Sequence, residues 1–218
     1  PQDRYPSAAA LLADLDRVAE VLDAVYPELE LLMGPPLGDK PGDPSLEINP
    51  DTLIDFYLLS EWLLNVRLPE SVQKKCLAGE PVRPWEKCFA ELPAGTVSAS
   101  PREGRKCSAY VLLVAGLDRT SLWGVVTHEL FHVFEKAHSC FEPWLDEATA
   151  TWAEHYALDK RGMDPEFTRL PGFFSQWGKR GLQQMLPVGY PAYLYFVFAT
   201  EKATNQLVPD LWVAMEKG

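Results

Sequence analysis

The run Val125-Val126-Thr127-His128-Glu129-Leu130-Phe131-His132-Val133-Phe134 constrains this chain more than any other stretch. It sets HExxH inside an otherwise apolar sequence. Residues four apart lie on one helix face, so His128 and His132 can point at one ion with Glu129 beside them. Imidazole nitrogens at that spacing suit zinc, and the intervening carboxylate suits the general base of a metal-assisted hydrolysis. The competing reading is a buried helix with two satisfied histidines. Three ionisable side chains among Val, Leu and Phe speak against it, because burying them is costly unless they are paired or bind metal.

All four histidines fall between positions 128 and 155, which concentrates any metal chemistry in one place. A catalytic zinc takes three protein ligands and keeps one position open, and two residues compete to be the third. The first is Glu147, in Trp144-Leu145-Asp146-Glu147-Ala148-Thr149-Ala150-Thr151-Trp152-Ala153-Glu154. A helix starting near Asp146 puts Glu147, Thr151 and Glu154 on one face. Glu147 could then ligate the ion while Glu154 or Thr151 orients a histidine from behind. Otherwise Glu147 is a surface carboxylate favouring the first-turn dipole. The second candidate is His138, because His128, His132 and His138 repeat the spacing of HExxHxxGxxH. Here, however, Glu135 stands in the glycine position and no Met-turn is evident. At a helix C-terminus, His138 would also be favourable simply as an imidazolium.

The patterning around this region predicts a scaffold. Ser7 caps a helix to about Val25, with Leu11, Leu15, Val18, Leu22 and Val25 at helical spacing. Residues 34–50 read as a Gly/Pro loop with a short strand near Leu46–Ile48. Asp51 to Val66, apolar nearly all round, reads as a buried helix, and a short helix follows around Ser71–Leu77. Gly79 to Lys106 reads as mostly irregular. Ser108 to Ala115 is the clearest strand, with a tight exit at Gly116. Asp118, Thr120 or Ser121 can cap the HExxH helix. Beyond Trp152 come a turn over 160–165, a helix from Gly172 to about Leu186, and another helix opened by Gly189–Phe196.

At 218 residues the chain has ample length for one domain. We expect an upper lobe over about 1–137 with a small sheet and a lower helical lobe over about 138–218. The formal charge of −11 argues against a nucleic-acid partner, and no apolar run is long enough to span a bilayer. Cys76, Cys88, Cys107 and Cys140 lack Cys-x-x-Cys spacing, so they suggest disulfides, preferably Cys76–Cys88 and Cys107–Cys140, and hence export. The alternative is four buried thiols in the cytosol. A chain opening on Pro1 rather than Met suggests a processed piece.

Together, HELFHVFEKAH and WLDEATATWAE resemble the gluzincin clan, in which a helix bearing HExxH is followed by one bearing a glutamate ligand. They are most similar to secreted gluzincin-like peptidases with a W-L-x-E-x-x-A-x-W-x-E second motif. The likeness covers about residues 108–205. It implies an α+β, helix-rich zincin-like fold and one zinc ion held by His128, His132 and Glu147. It also implies Glu129 as base, Glu154 as the second acid of that helix face, and a peptide or protein substrate. In such proteins a tyrosine near the start of a later helix donates to the oxyanion; Tyr190 matches best, with Tyr193 as the alternative. Only the fourteen residues Val133 to Asp146 separate the second histidine from the glutamate. This is shorter than in thermolysin-like members, whose substrate rules are therefore not carried over. By analogy with the fold, the strand at 108–115 could bind an extended peptide by strand addition if it lies at a sheet edge. Two other functions stay open: a zincin-like binding module without catalysis, and a zinc hydrolase acting on a non-peptide bond.

Overall fold

A computed structural model describes residues 8–37, 54–59, 95–101, 106–140, 143–163 and 192–217. Within them the chain is α+β and helix-rich, with a small three-stranded sheet.

Helix α1 (Ala8–Met33) extends well past the expected end at Val25 and passes through Pro27. Pro27 removes one backbone donor, but it and Asp23, four residues earlier, are both exposed, so water can serve the freed carbonyl. The buried stripe is Val18, Val21, Val25, Leu29 and Met33. Leu15, expected on that face, is exposed, while Leu22 packs only at the margin of the core. The helix is rotated from the sequence reading because Asp14 also faces inward. Its Oδ2 accepts the Gly116 N–H at 2.8 Å, and Arg17 donates to the Leu117 carbonyl at 3.0 Å.

Strand β1 (Phe56–Leu59) replaces part of the helix expected over 51–66. An apolar run without alternation fits a strand as well as a buried helix, and here the strand won, with Phe56 and Leu58 half-buried against the core. Strand β2 (Gly95–Pro101) likewise lies in the stretch expected to be irregular. Strand β3 (Cys107–Val114) matches the expected strand to within a residue at each end, and Gly116, at φ 84°, makes the tight exit. β3 is central, parallel to β1 through Phe56↔Val111 and antiparallel to β2 through Val97↔Val111. With both edges paired, β3 cannot accept a peptide strand. The expectations over 38–53, 60–94 and 164–191 lie outside the described residues, as do Cys76, Cys88 and Tyr190.

Helix α2 (Arg119–Lys136) carries HExxH. Asp118 caps it, accepting from the Thr120 and Ser121 amides at 3.0 and 3.1 Å. It packs against α1, β2, β3 and helix α3 (Pro143–Leu158), which explains why residues from Leu122 to Glu135 are buried on nearly every side. Helix α3 begins at Pro143, earlier than the expected Asp146, because proline's fixed φ and missing N–H suit the first helical position. A Cys107–Cys140 disulfide, Cα–Cα 5.5 Å, joins the start of β3 to the α2–α3 connection, as the preferred pairing required.

A 3-10 turn, Asp159–Arg161, ends at Gly162 (φ 63°) and ties back to α1: Lys160 and Arg161 each hold Glu28 at 2.8 Å. Helices α4 (Tyr193–Lys202) and α5 (Leu207–Glu216) complete the described chain. One hydrophobic cluster runs from Val18 of α1 through Phe131 and Phe134 of α2 and Trp152 of α3 to Trp212 of α5. No helix among the described residues is long and apolar enough to cross a membrane.

Candidate metal centre

One helical turn on α2 brings the rings of His128 and His132 to a centroid distance of 4.7 Å, with their Nε2 atoms 3.1 Å apart. From α3, Glu147 places Oε2 at 3.3 Å from His128 Nε2 and Oε1 at 3.9 Å from His132 Nε2. A ligand atom from each of the three lies within 4.8 Å of the others. The histidines are buried, while the Glu147 side chain keeps 34% exposure, so the cluster opens towards solvent on the glutamate side.

The far side of each ring is occupied. His128 Nδ1 donates to Glu154 Oε1 at 2.8 Å and His132 Nδ1 to Glu135 Oε2 at 2.7 Å. With both Nδ1 atoms carrying hydrogen, both Nε2 lone pairs face the same point, a repulsive arrangement unless a proton or cation sits between them. Three donors at about 2.0–2.1 Å from one tetrahedral ion would lie about 3.3 Å apart. The observed 3.1, 3.3 and 3.9 Å bracket that value, so these side chains fit a single small cation.

Electrostatics agree with this picture. Burial works against a charged His128, but hydrogen bonds to Glu147 and Glu154, with the charges of Glu154 and Glu129, outweigh it and push its pKa up to about 10. His132 moves the opposite way, lowered well below the usual imidazole range by burial and then by the charge on His128. The carboxylates thus favour positive charge on His128, and that charge together with burial disfavours a second on His132. Glu129 is pushed up to about 7, mainly by burial, with repulsion from Glu147 and Glu154 adding to it and His128 opposing.

His138 points elsewhere: its Nδ1 meets Glu216 at 3.2 Å and its Nε2 the Met33 carbonyl at 3.3 Å. Of the two candidate orienting residues, Glu154 meets a histidine. Thr151 instead donates to the Glu147 carbonyl at 2.8 Å, within its own helix. Tyr193, at the start of α4, is buried in the main hydrophobic cluster.

The sequence reading passed over Glu135, noting it only as the missing glycine of another motif. It is fully buried, and burial pushes its carboxyl well above the usual range, with the Asp146 charge adding to the effect. The available signal was its position three residues after His132, on the same face and inside an apolar helix. Neither known protein families, curated proteins nor solved structures give a match to this chain.

Proposed function

We propose that the protein is an exported zinc metallopeptidase of gluzincin type, with His128, His132 and Glu147 as ligands and Glu129 as general base. The observation that carries this reading is the convergence of two imidazole nitrogens and a carboxylate at separations suited to one tetrahedral ion. Zinc is favoured over harder cations because two of the three donors are imidazole nitrogens. Export is supported by the Cys107–Cys140 disulfide, which a reducing cytosol would disfavour.

A zinc ion in this site supplies a Lewis acid that acidifies water and polarises a carbonyl. The chain's own groups do the rest. Glu154 and Glu135 hold each imidazole with Nδ1 protonated, leaving both Nε2 atoms to bind. Glu129 takes the proton of the attacking water and delivers it to the leaving amine. Tyr190 is the proposed donor to the oxyanion, on the resemblance alone, with Tyr193 as the alternative.

Incubation with an unbiased peptide mixture, read by mass spectrometry before and after chelation, tests the reading. We expect cleavage that chelation stops and zinc restores. No cleavage by the zinc-loaded protein would contradict peptidase activity and favour a binding module or a hydrolase of another bond.

A further inference from the structure

We propose that Glu135 is the positioning residue of His132, and that Thr149 and Trp212 hold it in place, so that helix α5 belongs to the metal centre. This rests on reading the cluster as a metal site and extends it beyond the groups nearest the ion. One oxygen of Glu135 accepts from His132 Nδ1 at 2.7 Å, and the other is hydrogen-bonded to the Thr149 hydroxyl. Thr149 Oγ1 in turn accepts from the Trp212 indole N–H at 3.2 Å and lies 2.8 Å from the Leu145 carbonyl. The path runs from α2 through α3 to α5, and Glu135, Thr149 and Trp212 are all fully buried.

A carboxyl group with no solvent exposure is costly in a core where a leucine would pack. Here one oxygen holds the His132 ring and the other is held by the Thr149 hydroxyl. Anchoring both oxygens leaves Glu135 no freedom to swing, so His132 keeps one tautomer and one orientation. The same service for His128 comes from Glu154 on α3. Each imidazole thus has its own carboxylate, and on the His132 side that carboxylate is linked on to α5.

The test compares wild type, Glu135→Leu, Glu135→Gln, Thr149→Val and Trp212→Phe. Two readouts are taken on protein shown to be folded by circular dichroism: zinc affinity by competition with a chromogenic chelator, and the visible absorption of the Co2+ form. We expect Glu135→Leu to bind zinc about 10–100-fold more weakly, with an altered Co2+ spectrum. Glu135→Gln, whose carbonyl can still accept from Nδ1, should recover much of the loss. Thr149→Val and Trp212→Phe, which touch no ligand, should weaken binding about threefold to tenfold, short of the loss at Glu135 itself. Should Glu135→Leu fail to fold, these last two variants decide the question on the same readouts. Variants that melt earlier yet keep wild-type affinity and spectrum would overturn the proposal, since Glu135 would then be only structural. A wild type that binds neither ion would overturn the metal centre itself.

Discussion

Removing Glu147 should take away most of the zinc-linked stabilisation, whereas removing His138 should leave it intact. Two donors of the site stand on α2 and the third on α3, so a bound ion clips two helices together and favours the folded chain. With free zinc at about a thousand times its Kd, that linkage adds about 4 kcal/mol. For a chain of 218 residues, each kcal/mol moves Tm by about 2–4 °C, so zinc should raise Tm by about 8–16 °C. Glu147→Ala deletes one of three ligands, and its zinc-induced shift should fall to about 2 °C or less at the same free zinc. His138→Ala should keep the full shift, because both ring nitrogens are engaged with Glu216 and Met33 rather than the cluster. Scanning calorimetry in zinc-buffered and chelated samples at one pH measures the difference directly and cancels any change in baseline stability. A full shift in Glu147→Ala together with its loss in His138→Ala would refute the ligand assignment.

Three further outcomes follow from particular contacts. Replacing Cys107 and Cys140 by Ser removes a cross-link between residues 33 apart, which should cost about 3–4 kcal/mol by loop-closure entropy; denaturant unfolding at the parent's stability would contradict this. Glu28, whose partial burial is outweighed by hydrogen bonds to Arg161 and Lys160, has a lowered pKa. Its stabilising share is therefore present above its ordinary value of 4.5 and lost as pH falls through the lowered folded value. Glu28→Gln should cost about 0.5–1 kcal/mol at neutral pH and nothing at the acid end, and a pH-independent deficit would argue against the ion pair. Tyr190→Phe should lower turnover by about 10²-fold with zinc content unchanged, and unchanged turnover would remove it as oxyanion donor.

Much of the candidate site was legible because helical spacing carries three-dimensional information over short ranges. His128 and His132 four apart, Glu147 and Glu154 seven apart, and the Asp118 cap are all local patterns, and each occupies the place its spacing implied. The Cys107–Cys140 pairing was readable in a weaker way, as one of three possible connectivities. What failed was whatever depended on distant partners. Phe56–Leu59 is apolar all round in either conformation, and only its parallel pairing with Val111–Val114 makes it a strand. β2 is built of Gly, Thr, Val, Ser, Ala and Pro, too mild a pattern to announce itself without β3. The same cause hid the centrality of β3, which no single strand can declare. The inward turn of Asp14, which rotates α1, depends on Gly116, 102 residues away. Glu135 was visible but passed over, because an acidic residue near a helix C-terminus is ordinarily solvated, and the partner of its second oxygen, Thr149, stands on a different helix.

We propose that the His128–His132–Glu147 cluster holds a catalytic zinc with Glu129 as its base. Zinc content and peptide turnover of Glu129→Gln, measured side by side with wild type, test it most directly. We expect one zinc per chain in both proteins and turnover reduced by about 10²–10⁴-fold in the variant. A variant that cuts peptides as fast as wild type, or a wild type that holds no zinc, would contradict it.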